Sequence, residues 1–216
     1  MKVAVIGATG FVGQNLVEEL NSRGHQVLAI AQDVSVLQKK ENVIPINIDV
    51  NDTISLTSAL KGNDIVISAF NAGWTNPNLY NDFLIGSKNI QQSVKEANVQ
   101  RLIIIGGAGS LFITPSIQVV DTPDFPKEYH AGASAARDFL NIIKEEKELD
   151  WTFFSPALEM HPGITNGRTG NYRLGLDNPV FDSEGRSSLS VEDVAVVVVD
   201  EIENPKHHQV RFTAAY

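Results

Sequence analysis

Met1-Lys-Val-Ala-Val-Ile-Gly-Ala-Thr-Gly-Phe-Val-Gly13 opens the sequence, and this stretch decides the fold. An apolar, largely β-branched run from Val3 to Ile6 stops at Gly7, and glycines recur at Gly10 and Gly13. A strand, a glycine turn and a helix in this order bind the diphosphate of a dinucleotide. The glycines allow a sharp turn, close approach of the backbone to the phosphates, and close packing of the helix on the strand.

A helical pattern from Phe11 to Ser22 follows these glycines. The free N–H groups and the dipole at its N-terminus would face the negative charge of the diphosphate. The alternative, turn glycines without a ligand, explains less, because the stretch has both its strand before it and its helix after it. The predicted dinucleotide contacts in this stretch are Gly7, Thr9, Gly10, Phe11, Val12 and Gly13.

The composition indicates one globular domain over residues 1–216, with 43% hydrophobic and 20% charged residues. A net charge of −9 argues against nucleic acid as a partner. The absence of cysteine excludes thiol catalysis, disulfides and thiolate metal sites, and we expect no metal site elsewhere. No apolar run approaches the roughly 18 residues of a membrane span. We therefore expect a cytoplasmic protein with no membrane partner.

Strands and helices alternate along the chain, which predicts an α/β fold with a Rossmann-like, doubly wound parallel sheet. The predicted strands after the first are Val27–Ala31, Val43–Ile48, Ile65–Phe70, Leu102–Ile105, Trp151–Phe154 and Val210–Thr213. The predicted helices after the first run from Asp52-Thr53 through Leu60, over Asn78–Ala97 and Tyr129–Glu148, and from Ser190 through Ile202.

The pattern changes after Pro156, where Gly, Pro, Asn and Asp become frequent. Short strands are expected near Tyr172–Leu174 and Pro179–Phe181. Long irregular segments in a compact domain are more often functional than idle. Residues 156–190 are therefore predicted to form a small substrate lobe inserted over the carboxyl ends of the strands, where open α/β sheets bind cofactors.

With these features assembled, the chain resembles the atypical short-chain dehydrogenase/reductase superfamily, and more closely its small NAD(P)-binding, NAD-dependent epimerase/dehydratase-like proteins. The resemblance covers nearly the whole chain and is strongest in the glycine stretch. The other motifs that carry it are Asp49-Val50, Ser68-Ala-Phe-Asn71, Gly106-Gly-Ala-Gly-Ser-Leu111, Phe154-Ser-Pro156 and Ser190-Val-Glu-Asp-Val194.

The resemblance implies a nicotinamide cofactor across the strand ends. It places Asp49 near the adenine amino group and Val50 in the adenine pocket, with Ala69 and Phe70 covering the adenine ribose. Gly106 and Gly107 would lie near the nicotinamide. Two alternatives stay open, since Asp49 could be a turn or helix cap and Phe70 could belong to the core.

The choice between NAD and NADP depends on the end of the second strand, Ala31-Gln32-Asp33. An acid there binds the ribose 2′-hydroxyl of NAD, whereas arginine suits the 2′-phosphate of NADP. Asp33 favours NAD, and Gln32 stands where many NADP-using relatives have arginine. Asp33 could instead cap a helix that begins near Val34. Lys39 and Lys40 lie close enough in sequence to complicate the choice, and NAD is the favoured cofactor.

Catalytic residues are harder to assign. Members of the superfamily that act on carbonyls use a tyrosine activated by a lysine four residues later, together with a serine on the fifth strand. Tyr129 and Ser110 are the candidates here, but Ala133 stands where the lysine is needed. The simpler interpretations are a surface role for His130, turn chemistry for Ser110 and a solvated surface for Glu145-Glu146.

Two functions remain open. The first is an NAD(P)-dependent oxidoreductase that transfers hydride to an unidentified small substrate, conjugated or aromatic. Solvent can protonate such a substrate, so the reaction would not need the missing tyrosine–lysine pair. The second is a non-catalytic NAD(P)-binding sensor or regulatory protein; a transient-oxidation isomerase or dehydratase ranks last. Trp74, Asn71 and Asn76 could line a pocket for a flat substrate, although a tryptophan in a loop more often packs under its neighbours. A homo-oligomer is possible.

Overall fold

The computed structural model describes every residue from Met1 to Tyr216. The strands are β1 (Lys2–Ile6), β2 (Gln26–Ala31), β3 (Val43–Asn47), β4 (Ile65–Ser68), β5 (Arg101–Ile105), β6 (Phe112–Thr114), β7 (Ile117–Gln118), β8 (Asp150–Ser155), β9 (Arg173–Gly175) and β10 (Val210–Ala215). Eight of them form one central sheet, in the order β3-β2-β1-β4-β5-β8-β10-β9. All neighbouring strands in it are parallel except β9, which pairs with β10 antiparallel. This architecture confirms the predicted α/β fold with a Rossmann-like sheet.

Five helices cover the two faces of the sheet. They are α1 (Phe11–Ser22), α2 (Thr53–Leu60), α3 (Leu79–Glu96), α4 (Lys127–Ile143) and α5 (Val191–Glu203). Two clusters of buried apolar side chains result, one between the sheet and α1 with α5, and the other between the sheet and α2, α3 and α4. None of the five helices is both long enough and apolar enough to cross a bilayer.

The order of the strands creates a switch point between β1 and β4. The chain proceeds from β1 outward to β2 and β3, then returns and continues on the other side of β1 through β4 and β5. The carboxyl ends of β1 and β4 are level, since Ile6 lies opposite Ser68. A crevice opens at such a point because the loops after the two strands diverge to opposite faces of the sheet.

Two predicted helices differ from the structure. No helix begins near Val34, whose backbone N–H donates to the Asn47 side chain, so the proposed helix-cap role of Asp33 is wrong. α4 ends at Ile143 instead of Glu148. The Glu146 carboxylate turns inward, where it accepts hydrogen bonds from Gln91 and Lys95, and it is not the solvated surface group that the sequence suggested.

Tertiary contacts explain this end of α4. Although partial burial opposes it, hydrogen bonds from the Glu148 N–H, Gln91 and Lys95 lower the pKa of Glu146 to about 2. The Glu146 carbonyl also accepts a bond from the Trp151 indole. These contacts need the chain to leave the helix before Glu146, and they override local helix propensity.

The segment 156–190 contributes β9 to the edge of the main sheet. No strand forms over Pro179–Phe181; next to it, the Asp177 carbonyl accepts the N–H of Phe112. Phe112 opens a small hairpin of β6 and β7 that the sequence did not predict. Whether the segment acts as a substrate lobe stays a prediction.

Candidate functional site

A cleft of about 840 Å³ lies at the switch point, along the carboxyl ends of β1, β2 and β4. Its size is within the range of about 300–1,000 Å³ that small-molecule and cofactor sites occupy. The loops after these strands supply its walls, with part of α3. Its lining residues are Ile6, Gly7, Thr9, Gly10, Ala31, Gln32, Asp33, Ile48, Asp49, Val50, Asn51, Ala69, Phe70, Asn71, Ala72, Asn76, Asp82 and Ile85.

The glycine turn, Gly7 to Gly13, shapes one end of this cleft. Gly7 has a φ of +78°, and a Cβ there would lie 2.4 Å from the Ala69 carbonyl oxygen. A Cβ on Gly13 would lie 2.0 Å from the Gly7 carbonyl oxygen. Any side chain at either position would therefore push α1 or β4 away from β1. The two glycines are needed for the close packing that brings the N-terminus of α1 to the cleft.

The N-terminus of α1 has no protein group that satisfies its first N–H groups with negative charge. Gly10 is the N-cap residue and offers no side chain, and the first turn holds no acidic residue. Thr9 and Gly10 line the cleft. Unpaired N–H groups and the helix dipole make such an end attractive to an anion. Of the other residues predicted here, Phe11 is exposed, Val12 packs against the core and Gly13 is buried.

A second part of the cleft, formed by Gln32, Asp33 and Asp49, carries negative charge. The Gln32 side-chain amide donates to the Asp49 carboxylate at 2.8 Å, and the other oxygen of that carboxylate accepts the Asn51 N–H at 2.8 Å. Asp33 accepts the Ser35 N–H at 2.9 Å, and the hydrogen bonds from Ser35 hold the pKa of Asp33 below its usual range. Both aspartates face the cleft.

No lysine or arginine lines the cleft, which instead includes a third carboxylate, Asp82. The two lysines that complicated the cofactor choice lie outside it, and Lys40 forms an ion pair with Glu18 of α1. A dianionic phosphate at the acidic end would have no cation to pair with, whereas a hydroxyl could donate to either carboxylate.

The apolar side of the cleft comprises Val50, Ala69 and Phe70. Phe70 is half-buried and stacks on Phe83, with ring centroids 6.0 Å apart. A Cβ on Gly86 of α3 would lie 2.5 Å from the Phe70 ring. The ring is therefore seated by the core and also presents an edge to the cleft, so the two alternatives for Phe70 are compatible.

Gly106, Gly107 and Ser110, which come after β5, do not line this cleft. A Cβ on Gly106 would lie 1.9 Å from the Phe153 ring, so this glycine makes room for a core phenylalanine. Ser110 is fully buried; its hydroxyl lies 3.1 Å from the Gly107 carbonyl, which accepts from it, and 3.0 Å from the Ser155 hydroxyl. The assignment of these residues to the nicotinamide and to catalysis stays a prediction.

Tyr129 lies in the first turn of α4, outside the cleft, with half of its surface exposed. Its ring meets the Trp74 indole edge to face, at 5.5 Å between centroids. Ala133, one turn along α4, provides no cation beside the phenol. The cleft also includes Asn51, in the turn before α2, and Asp82 and Ile85 of α3. The sequence did not predict these three residues, because no motif marks them.

The comparisons with known proteins agree with this geometry. The sequence model of a family described as NAD(P)H-binding matches residues 7–205. The chain belongs to the NAD(P)H-binding family. Its sequence is 36% identical over 216 residues to an uncharacterized protein of Bacillus subtilis, covering 99% of this chain and 97% of that protein.

Two solved structures resemble the chain over its whole length. A candidate epimerase from Bacteroides thetaiotaomicron is 42% identical, with a TM-score of 0.91 over 100% of this chain and 96% of that one. A candidate NADH-flavin reductase from Streptococcus pneumoniae is 35% identical, with a TM-score of 0.87 over 100% and 99% of the two chains. The NAD(P)-binding, oxidoreductase-like character of the fold is thereby established.

Proposed function

We propose that this member of the NAD(P)H-binding family is an oxidoreductase that uses NADH to reduce a small, conjugated acceptor. The observation that carries the proposal is the cleft at the switch point, whose lining includes an anion-attracting helix end and carboxylates without a cation. A dinucleotide matches this distribution, because its diphosphate is anionic and its adenosine ribose carries hydroxyl groups.

The residues of the cleft fit such a cofactor along its length. Thr9, Gly10 and the first N–H groups of α1 would hold the diphosphate. Asp33 would accept the hydrogen bonds of the adenosine ribose, and Val50 with Phe70 would enclose the adenine. The close approaches at Gly7 and Gly13 support this assignment, since they keep the helix end at the mouth of the cleft.

The electrostatics favour NADH over NADPH. The 2′-phosphate of NADPH would meet Asp33 and Asp49 without any lysine or arginine among the lining residues. The carboxylates would repel this phosphate, and burial of an unpaired phosphate costs more free energy than burial of a hydroxyl. We therefore expect NADH to bind more tightly by about tenfold or more.

The acceptor is inferred from the groups that could move a proton. Tyr129 has no activating lysine, and the Ser110 hydroxyl is engaged in buried hydrogen bonds. A bound NADH supplies a hydride, which is two electrons and one proton, and a conjugated acceptor takes its second proton from solvent. Such an acceptor needs no acid from the protein. The candidate NADH-flavin reductase from Streptococcus pneumoniae supports this choice of acceptor class.

The absence of an activated tyrosine also supports a second candidate, a sensor that binds NAD(H) without turnover. The two candidates differ in one measurement, the oxidation of NADH at 340 nm with flavin, quinone and carbonyl acceptors. The reductase predicts consumption of NADH with flavins or quinones and none with simple carbonyls, which need an acid. Tight NADH binding without consumption by any acceptor would favour the sensor and contradict the reductase.

A further inference from the structure

The Trp74 side chain is an exposed indole beside the cofactor cleft. Trp74 lies in the loop between β4 and α3, and 57% of its surface is exposed. Its loop neighbours Ala72 and Asn76 line the cleft, so the indole stands at the border of that cleft. Exposure of a tryptophan at such a position leaves a large apolar surface in contact with water, which is unfavourable unless a ligand covers it.

α4 provides a seat for this indole. A Cβ on Gly132 would lie 2.7 Å from a carbon of the Trp74 ring and 3.2 Å from Leu79. Only glycine at this position of the helix leaves room for the ring. A glycine within a helix costs about 1 kcal/mol of stability relative to alanine. The helix bears this cost at the position where the ring of Trp74 comes close.

Tyr129 completes the arrangement. Its ring lies at 84° to the indole, the edge-to-face geometry that aromatic pairs prefer, and it is half exposed. α4 thus fixes the indole on one side through Gly132 and Tyr129, while the rest of the ring faces solvent. We call Trp74 and Tyr129 the aromatic wall.

We infer that the aromatic wall binds the acceptor of the proposed reaction as a planar, conjugated ring without negative charge. Stacking on an aromatic face needs only a flat π-system, and the indole has the largest such face of any side chain. A ring that carries negative charge is disfavoured because Asp33, Asp49 and Asp82 line the adjoining cleft without a cation.

Riboflavin is a suitable probe, since it is uncharged and its isoalloxazine fluorescence is quenched when it stacks on an indole. Its affinity is measured without NADH, by fluorescence anisotropy and quenching, for the wild type and three variants. Trp74→Leu removes the aromatic face from an exposed position. Gly132→Ala leaves Trp74 intact but pushes its ring away. Phe181→Leu removes an exposed phenylalanine in the loop after β9 and serves as the control.

We expect saturable binding to the wild type, a loss of about tenfold in affinity for Trp74→Leu, and a smaller loss for Gly132→Ala. Phe181→Leu should bind as the wild type does. FMN, which adds a phosphate to the same ring, should bind more weakly than riboflavin. Unchanged riboflavin affinity in Trp74→Leu, or no saturable binding to the wild type, would overturn the inference. Tighter binding of FMN than of riboflavin would overturn the claim that the bound ring carries no negative charge.

The role of the aromatic wall rests on the proposed function only for the reduction of the bound ring, so the two can fail separately. NADH affinity of Trp74→Leu, measured by NADH fluorescence, should equal that of the wild type, because the indole lies outside the cleft lining. Riboflavin binding through Trp74 without NADH consumption would contradict the reductase and leave the ring site. NADH-dependent reduction of riboflavin that is insensitive to Trp74→Leu would support the reductase and contradict a ring site at Trp74.

Discussion

The two ends of the proposed reaction site are specified in different ways. At the diphosphate end the backbone is the determinant, because a Cβ on Gly7 or Gly13 would lie 2.4 Å or 2.0 Å, respectively, from a carbonyl oxygen. At the reacting end the determinants are side chains, and the two predicted there, Ser110 and Tyr129, are respectively buried and half exposed. A motif that fixes backbone geometry identifies a ligand more reliably than single polar residues identify a reaction.

The largest expected effects come from glycines of the same turn. Gly13→Ala places a methyl group against the Gly7 carbonyl and should lower the free energy of unfolding by about 3 kcal/mol or more. Gly10 has φ and ψ angles that any residue adopts, and a Cβ added there would lie 3.3 Å from its nearest neighbour, the Gly7 carbonyl oxygen. Gly10→Leu should therefore fold, while its side chain blocks the cleft and lowers NADH affinity by about a hundredfold.

Chemical denaturation and NADH titration of the two variants separate stability from binding. Gly10→Ala is the matched control for the volume of the side chain, and it should lose less affinity than Gly10→Leu. If Gly10→Leu is stable and still binds NADH as the wild type does, the dinucleotide cannot lie over the glycine turn, and the difference between the two ends of the site disappears.

This difference also explains how much the sequence could predict. Periodicity and glycine spacing determine local structure, so α1 was predicted with its observed bounds, Phe11–Ser22. Local signals failed where distant contacts decide the conformation. α4 ends at Ile143, and Gln91 and Lys95 of α3 bind the Glu146 carboxylate just beyond that end. Nothing near Glu146 in the sequence indicates those partners.

The same limit applies to the site. Gln32 was assigned from its place at the end of the second strand, whereas Asp49 and Ala69 were assigned from the family resemblance. The structure brings all three to one cleft. The seat of Trp74 on Gly132 joins a loop and a helix that are far apart in sequence, and neither residue suggests the other. The buried hydrogen bond between the hydroxyls of Ser110 and Ser155 likewise joins two positions that are far apart in sequence.

A smaller effect is expected at the acidic end of the cleft. Gln32→Arg adds a guanidinium that can pair with a 2′-phosphate, and it should raise NADPH affinity by about tenfold. NADH affinity should change little. Gln38→Arg adds the same charge outside the cleft lining and controls for the change in net charge. Competition binding of the two nucleotides measures the ratio, and equal effects of the two variants would show that general electrostatics, not a 2′-phosphate site, decides the preference.

The smallest effect tests whether the reacting end uses Ser110 at all. Ser110→Ala removes one partner of a fully buried hydroxyl pair and leaves Ser155 with an unmet hydrogen bond, which should cost about 1 kcal/mol of stability. Ser155→Ala removes the other partner and should cost less, because the Ser110 hydroxyl keeps its hydrogen bond to the Gly107 carbonyl. Because the two hydroxyls bond to each other, the double variant should lose less stability than the sum of the two single variants.

Thermal unfolding gives these differences in stability, and NADH oxidation with riboflavin gives turnover. We expect turnover to stay within about threefold of the wild type in both single variants. A hundredfold loss of turnover confined to Ser110→Ala would instead make Ser110 a catalytic residue, and side-chain chemistry would then define the reacting end as firmly as the glycines define the other.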